Sequence, residues 1–172
     1  MTRDVHSQGA QTPAELGILA QRKIEAAIIA PIYESMVAEI GKQRAQVIID
    51  AAISKAAFAA AEAFAANTEG GTSLRSFQAL QHLWTKDDAL EIEVIEASDT
   101  VFDYNVTRCR YAETYRAMGL GDIGHLLSCN RDSVFCQGYD SRIKLERTQT
   151  IMRGASHCDF RYTFDPEPGP QT

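Results

Sequence analysis

The chain has 172 residues, of which 45% are hydrophobic, and a formal net charge of -6, so it is long enough for one domain with a substantial core. Its lysine and arginine residues are scattered and form no basic stripe, which argues against nucleic acid or an anionic membrane as a partner. No stretch approaches the ~18 apolar residues of a membrane span, and the opening residues MTRDVHSQGAQTP lack the apolar segment of a signal peptide.

These features predict a cytoplasmic protein, and thiols stay reduced in that compartment. The four cysteines are therefore expected to be free, catalytic or metal-binding, and not to form a disulfide framework. No Cys-x-x-Cys pair occurs, so the sequence lacks the usual zinc-ribbon and thioredoxin signatures.

The first half of the chain is predicted to be helical. Residues 1–11 are expected to be disordered, and the Thr-Pro-Ala-Glu run at 12–15 is a typical helix start with a cap and a capping box. An apolar stripe at helical spacing then continues to Gly41, with a kink or restart expected at Pro31. An alanine-rich second helix is predicted over residues 42–66.

A short third helix is predicted over residues 73–84. The apolar stripe of the first helix and the alanine-rich second helix offer more apolar surface than one small sheet can cover. We therefore expect a homo-oligomer built through the N-terminal helices.

The apolar pattern changes from helical to alternating spacing near Leu90. The alternation predicts strands over residues 90–94, 101–109, 133–139, 143–152 and 157–164. Two short helices are predicted over residues 111–118 and 122–129, and residues 167–172 are expected to form a frayed tail. The predicted fold class is α+β, with long N-terminal helices packed on a mostly antiparallel sheet of about five strands with two short inserted helices. Residues 12–166 would form one domain, helical over 12–84 and sheet-forming over 90–166.

The predicted strand over 101–109 has one strongly polar face. Strict alternation places on that face Asp103, Asn105, Thr107 and Cys109. The face could simply be the solvated side of an antiparallel sheet, or it could line a pocket closed by the helices. Cys109 favours the pocket, because a lone thiol is unusual on a wet face.

A second group of candidate residues lies where the predicted helix over 122–129 meets the next predicted strand. Cys129 and Asp132 flank this junction, and catalytic residues concentrate at the ends of such elements. Asp132 could act as a general base toward water or a thiol. Alternatively, Cys129 packs in the core and Asp132 bonds local backbone amides.

The predicted last strand carries further candidates. Alternation places Asp159 and Arg161 on one face and Cys158 on the opposite, apolar face. Asp159 and Arg161 could form a simple ion pair, or Arg161 could grip a substrate carboxylate while Asp159 orients it. A cysteine on an apolar face is typically a small buried hydrophobic residue.

Metal binding has only weak support in the sequence. Cys109, Cys129, Cys158 and His157 could in principle form a zinc site, but they are far apart along the chain. We therefore expect no cofactor. Cys136 is expected to be structural in the strand over 133–139, and His125 to be partly exposed.

A family resemblance is carried by two segments of the second half, NVTRCRYAETYRAMGLGDIGHLLSCNRD and RTQTIMRGASHCDFRYTF. Both resemble the L-2-amino-thiazoline-4-carboxylic acid hydrolase family, and the N-terminal segment ILAQRKIEAAIIAPIYESMVAEIGKQRAQ resembles its long entry helices more loosely. The resemblance implies hydrolytic opening of a small carboxylate-bearing heterocycle at a carbon–nitrogen bond, with N-carbamoyl-L-cysteine as the product from the namesake substrate. The residues that match the family pattern are Cys109, Cys129, Asp132, Cys158, Asp159 and Arg161.

The predicted architecture also resembles, more distantly, the small-molecule-sensing domains related to vinyl reductases. That resemblance implies an alternative from another class, a ligand- or metal-binding module without turnover. A carboxylate beside a thiol favours the enzyme, whereas three cysteines converging on a metal would favour the sensor.

The preferred hypothesis is a hydrolase of cyclic amides or cyclic amidines that acts on a small-molecule carboxylate. Cys109 is expected to be the nucleophile, or a thiol that polarises the ring carbon, with Asp132 as the base and Cys129 as the third catalytic residue. Arg161, held by Asp159, is expected to bind the substrate carboxylate. The full set of predicted substrate contacts is Asn105, Thr107, Arg131, Cys158, Asp159 and Arg161.

Overall fold

Two long helices begin the part of the chain that the computed structural model describes, residues 16–166. They are α1 (Ile18–Ile40) and α2 (Lys42–Ala66), joined at Gly41, whose φ of 79° is in the left-handed region that glycine adopts without strain. Helix α1 continues through Pro31, so the restart expected there does not occur. The predicted helix start at 12–15, the N-terminus at 1–11 and the tail at 167–172 lie outside the described residues.

The predicted third helix consists of two short helices, α3 (Leu74–Ala79) and α4 (Gln81–Thr85). Helix α3 starts with a capping box, because the Ser73 hydroxyl accepts a hydrogen bond from the Ser76 amide at 3.1 Å and the Ser76 hydroxyl accepts one from the Ser73 amide at 2.9 Å.

The sheet has four antiparallel strands in the order β1-β2-β4-β3. The strands are β1 (Leu90–Ala97), β2 (Val101–Cys109), β3 (Ile143–Glu146) and β4 (Cys158–Phe164). The predicted α+β class with long N-terminal helices is confirmed, with four strands instead of about five. Strand β3 ends well before residue 152, because the next segment turns to bring the amides of Thr148 and Gln149 onto the Asp159 carboxylate.

The missing fifth strand is a helix. Residues 133–139 belong to α6 (Asn130–Tyr139), which follows directly from a single turn of π-helix, His125–Cys129. The strand prediction was wrong because Val134, Phe135 and Cys136 are residues that favour strands locally, while packing against α2 imposes a helix. Cys129 and Asp132 therefore lie on one continuous helical segment and not at a helix-to-strand junction. Helix α5 (Arg110–Ala117) lies between β2 and this segment.

Helix α6 packs closely on α2 at Gly138. A Cβ atom on Gly138 would lie 2.8 Å from the carbonyl oxygen of Phe58 and 2.9 Å from the Cβ of Ala61, so only glycine allows this approach. The inner face of the sheet, from Phe102 and Tyr104 to Tyr162, forms one buried cluster with α3 and α6. The opposite face of the sheet carries the polar side chains of β2 and β4.

Candidate active site

A cavity of about 550 Å³ lies between the inner face of the sheet and helices α1, α2, α4 and α6. Three of the four cysteines line it, namely Cys109, Cys129 and Cys158. The Asp132–Arg147 ion pair, further charged residues from α1 and α6, and many aromatic rings complete the lining. A cavity of this volume is within the usual range for small-molecule sites.

Cys109 reaches the cavity because strand β2 contains a β-bulge. Ile92 pairs with Val106 and Glu91 pairs with Arg108, so Thr107 is an extra residue in β2. A bulge reverses the alternation beyond it. Cys109 consequently lies on the inner face, and its predicted position beside Asp103 and Asn105 was wrong.

Cys109 is also the N-cap residue of helix α5, although its side chain makes no capping hydrogen bond. Burial raises the pKa of its thiol to about 11, and the backbone amides of Ala112 and Tyr111 partly oppose this rise. Amides at a helix N-terminus stabilise a thiolate. The thiol is thus protonated at neutral pH but is placed where the negative charge of a thiolate can be accommodated.

Asp132 lies on the cavity-facing side of α6 and forms an ion pair with Arg147. Arg147 also donates a hydrogen bond to the Cys129 carbonyl at 2.9 Å, and its guanidinium lies 4.9 Å from the Phe160 ring centroid. About a quarter of the Asp132 side chain is accessible (27%). Burial raises the pKa of the carboxyl group, and Arg147 opposes the rise. A carboxylate of this kind is a stronger base than an exposed aspartate.

The other two cavity cysteines have more restricted surroundings. The Cys158 sulfur accepts a hydrogen bond from the Ile151 amide at 3.2 Å, and its side chain is buried. Burial, together with the neighbouring Asp132 carboxylate, raises the pKa of Cys129 to about 12. The fourth cysteine, Cys136, is buried in α6 and donates to the Asp132 carbonyl at 3.2 Å.

Among residues 16–166, no group of three or more His, Cys, Asp or Glu side chains is arranged to hold a metal ion. His157 was one of the four possible zinc ligands considered from the sequence. Its Nε2 atom lies 2.9 Å from the side-chain nitrogen of Gln149.

An arginine pair forms the cationic part of the cavity. Arg131 on α6 and Arg22 on α1 share one carboxylate, that of Glu25, at 3.0 and 2.6 Å. The Arg131 side chain is 11% accessible and that of Arg22 is 17% accessible. Burial and then the charge of Arg22 lower the pKa of Arg131. Two guanidinium groups with one carboxylate leave one positive charge for an anionic ligand.

Four of the predicted substrate contacts lie away from the cavity, on the outer face of the sheet: Asn105, Thr107, Asp159 and Arg161. Arg161 donates to the Tyr104 carbonyl at 3.0 Å and to the Asn105 side-chain oxygen at 3.0 Å. Asp159 instead accepts from the Thr148 hydroxyl at 2.6 Å. The expected Asp159–Arg161 contact was therefore wrong. Arg161 bonds to residues of β2, on one side of β4, whereas Asp159 bonds to the segment after β3, on the other side.

A model of the L-2-amino-thiazoline-4-carboxylic acid hydrolase family matches residues 21–162, most of the chain. The chain belongs to this family. The resemblance seen in the sequence is thereby confirmed, and the family is named for a hydrolase of an aminothiazoline carboxylate. The matched range includes Arg22, Cys109, Asp132, Arg147 and Cys158. A search of curated proteins gave no match.

A solved structure with a similar fold is the phenol-responsive sensory domain of the transcription activator PoxR, crystallised with phenol. The TM-score is 0.53 at 12% sequence identity, and the alignment covers 86% of this chain and 76% of the PoxR chain. At this identity the similarity concerns the fold alone. No helix among residues 16–166 has the length and apolar character needed to cross a bilayer.

Sequence reasoning missed four charged residues of the cavity: Arg22, Glu25, Lys86 and Arg147. Glu25 and Arg131 are 106 positions apart, so no local spacing connects them. No local signal marked Arg22 and Glu25, because they lie off the apolar stripe of the first helix, whose residues Ile24 and Ile28 are exposed.

Proposed function

We propose that this family member hydrolyses a small heterocycle that carries a carboxylate, either a cyclic amidine or a cyclic amide. The observation that carries the proposal is the surplus positive charge of Arg22 and Arg131 in the same cavity as a thiol and a carboxylate, Cys109 and Asp132. The arginines supply a site for the substrate carboxylate, and the thiol and carboxylate supply a nucleophile and a base.

Cys109 is the best placed of the three cavity thiols to act as nucleophile. It is the N-cap residue of a helix whose amides favour the thiolate, and it is partly accessible, whereas Cys158 is buried. Burial raises the pKa of Cys129 to about 12, above the value of about 11 for Cys109. The negative charge of Asp132 contributes to the raised pKa of all three cavity thiols, so this carboxylate is available as a base to whichever of them reacts.

In the proposed reaction, the Cys109 sulfur bonds to the ring carbon that is doubly bonded to nitrogen, and Asp132 passes the thiol proton to that nitrogen. The ring bond from this carbon to its leaving atom then breaks, and Asp132 carries a proton from the nitrogen to the departing atom. Water next adds to the same carbon, and the Cys109 thiol leaves with its proton restored. The sum of these steps is the addition of one water molecule to the ring.

The departing atom depends on the ring. In 2-amino-thiazoline-4-carboxylate, loss of the ring sulfur gives N-carbamoyl-L-cysteine, whereas loss of the ring nitrogen would give S-carbamoyl-L-cysteine. The sequence led us to expect both cleavage of a carbon–nitrogen bond and an N-carbamoyl product. For this ring the two expectations are incompatible, because the N-carbamoyl product requires cleavage of the carbon–sulfur bond. We propose that sulfur departs, because a thiol is the more acidic leaving group. In a cyclic amide the Cys109 sulfur bonds to the carbonyl carbon instead, the ring nitrogen departs with the thiol proton that Asp132 carries to it, and water then hydrolyses the thioester.

The arginine pair provides the test of this proposal. Replacement of Arg131→Gln removes one guanidinium, so KM for a carboxylate-bearing ring should rise about 10-fold or more, as expected for a lost charge-assisted contact. The same substitution should change KM little for the matching primary amide. Arg75→Gln is the control, because Arg75 is exposed and ion-paired with Asp99 away from the cavity. Equal losses on both substrates would contradict a carboxylate site at Arg131.

The alternative function is a sensor that binds a small molecule without turnover. The fold similarity to a phenol-responsive sensory domain and the aromatic lining of the cavity support it. Saturable binding of ring compounds with no product after prolonged incubation would favour this alternative.

A further inference from the structure

The cavity has two chemically different ends, and helix α6 shows their order. Cys129, Asp132 and Phe135 lie three residues apart on the same side of this segment and all line the cavity. The lining thus changes from thiol to carboxylate to aromatic ring over six residues, a distance of about 9 Å at 1.5 Å per helical residue.

The two central strands show the same change from thiol to aromatic ring, without a carboxylate between them. On β4 the cavity residues are Cys158, Phe160 and Tyr162, which alternate onto the inner face over about 13 Å at ~3.3 Å per residue. On β2 the series ends at Tyr104, which pairs with Phe160 in the sheet register. The thiols therefore gather at one end of the cavity, and the aromatic rings line the space beyond them.

The aromatic end is built from rings in mutual contact. Ring centroids are 5.2 Å apart for Trp84 and Phe135, 5.6 Å for Phe64 and Phe135, and 5.1 Å for Phe77 and Tyr162. Ala60, one turn before Phe64 on α2, also lines the cavity and leaves space there because its side chain is small. Such a lining favours an apolar or aromatic ligand group.

The cavity is also larger than the namesake ring requires. An aminothiazoline carboxylate has about nine non-hydrogen atoms, so even at the ~30 Å³ that a water molecule occupies in the liquid it would fill about half of the 550 Å³ cavity or less. Water left against an aromatic lining is unfavourable, so the remaining volume suits a further apolar group on the substrate.

We propose that the substrate ring bears an aromatic substituent that occupies the aromatic end, lined by Phe64, Phe77, Trp84 and Phe135, while the ring itself lies beside Cys109. This inference rests on the proposed hydrolysis for the position of the ring. The aromatic end then acts as the specificity site, and the thiol and carboxylate end carries out the chemistry.

Binding can be measured separately from turnover, because Trp84 is the sole tryptophan of the chain and lines the aromatic end. Quenching of its fluorescence measures the dissociation constant of a ligand. This constant should be about 30-fold or more lower for 3-phenylpropionate than for propionate, because the phenyl group is buried on binding. Neutral 3-phenylpropanol should bind more weakly than 3-phenylpropionate, because it lacks the carboxylate.

Ala60→Phe fills the aromatic end, so it should reduce the preference for 3-phenylpropionate over propionate at least 10-fold. Ala59→Phe is the matched control, since Ala59 is the exposed neighbour on the same helix, and it should retain the full preference. Circular dichroism and the thermal midpoint confirm that both variants fold. If Ala60→Phe does not fold, Ala60→Leu replaces it with the same expected direction.

Turnover of 2-amino-thiazoline-4-carboxylate and its 5-phenyl derivative separates the two proposals. A higher kcat/KM for the 5-phenyl compound supports the inference. Binding and turnover that both favour the unsubstituted ring would overturn it while leaving the hydrolysis intact. Phenyl-selective binding with no turnover of either ring would overturn the hydrolysis while leaving the assignment of the aromatic end intact.

Discussion

One extra residue in strand β2 determines where the Cys109 thiol points. Without the bulge at Thr107, strict alternation would place this side chain on the outer face of the sheet with Asn105. The sequence singled out the cysteine but not its direction, because a bulge leaves no mark in an alternating pattern. The outer-face residues Asp159 and Arg161 alternate regularly, and for them the predicted faces relative to Cys158 agree with the structure.

The raised pKa of Cys109 gives a measurable property of the free protein. An unperturbed thiol with a pKa of ~8.5 is mostly ionised above pH 9, so its alkylation rate changes little there, whereas burial raises the pKa of the Cys109 thiol to about 11. Its rate with iodoacetamide should therefore continue to rise about tenfold per pH unit between pH 9 and 10, because the thiolate fraction is still small there. Peptide mapping by mass spectrometry assigns the rate to Cys109, and glutathione serves as the reference. A plateau at or below pH 9 would contradict the burial of this thiol.

At the scale of elements, the helical half and the two central strands could be predicted from the sequence, because α2 and β2 have clear periodic patterns. Helix α6 could not, because its strand-favouring residues Val134, Phe135 and Cys136 are held in a helix by packing on α2. Five of the predicted site residues line the cavity although they come from separate parts of the chain: Cys109, Cys129, Arg131, Asp132 and Cys158. The ion pair between Arg147 and Asp132 could not be predicted either. The alternating pattern indicated a continuous strand over 143–152, whereas β3 ends at Glu146, just before Arg147.

The close contact of α6 with α2 gives a prediction for stability. Gly138→Ala places a methyl group 2.8 Å from a backbone oxygen, so it should destabilise the fold by about 1–3 kcal/mol despite the better helix propensity of alanine. It should also reduce activity, because α6 carries Asp132. Gly121→Ala is the control, since its added Cβ would meet only Arg116 at an ordinary 3.7 Å, and it should change stability by less than about 0.5 kcal/mol. Denaturant unfolding of both variants measures the difference, and equal stability would contradict the packing at Gly138.

At the scale of the whole molecule, one side of helix α1 exposes apolar residues at helical spacing. Ile24, Ile28 and Ile32 are 53%, 60% and 50% accessible. An apolar stripe of this kind on a helix is typical of a protein–protein contact, and we propose that it joins two copies of the chain.

Light scattering at micromolar concentration should therefore give the mass of a homo-oligomer. Ile28→Glu should reduce it to the monomer mass of 19.0 kDa, because it places a charge at the centre of the stripe. Lys23→Glu, an exposed change beside the stripe, should leave the assembly intact. A monomer mass for the unmodified protein would refute the proposed contact.

The central claim is that this cavity opens a carboxylate-bearing ring with Cys109 as the nucleophile. The most direct measurement is liquid chromatography with mass spectrometry on 2-amino-thiazoline-4-carboxylate and its 5-phenyl derivative, each incubated with the protein or with its Cys109→Ser variant. We predict a product heavier than its substrate by one water and carrying a free thiol, formed by the Ser variant about three or more orders of magnitude more slowly. Unchanged substrate that nevertheless saturates the Trp84 fluorescence would contradict catalysis and favour a sensor. Equal rates for the two proteins would remove Cys109 from the mechanism.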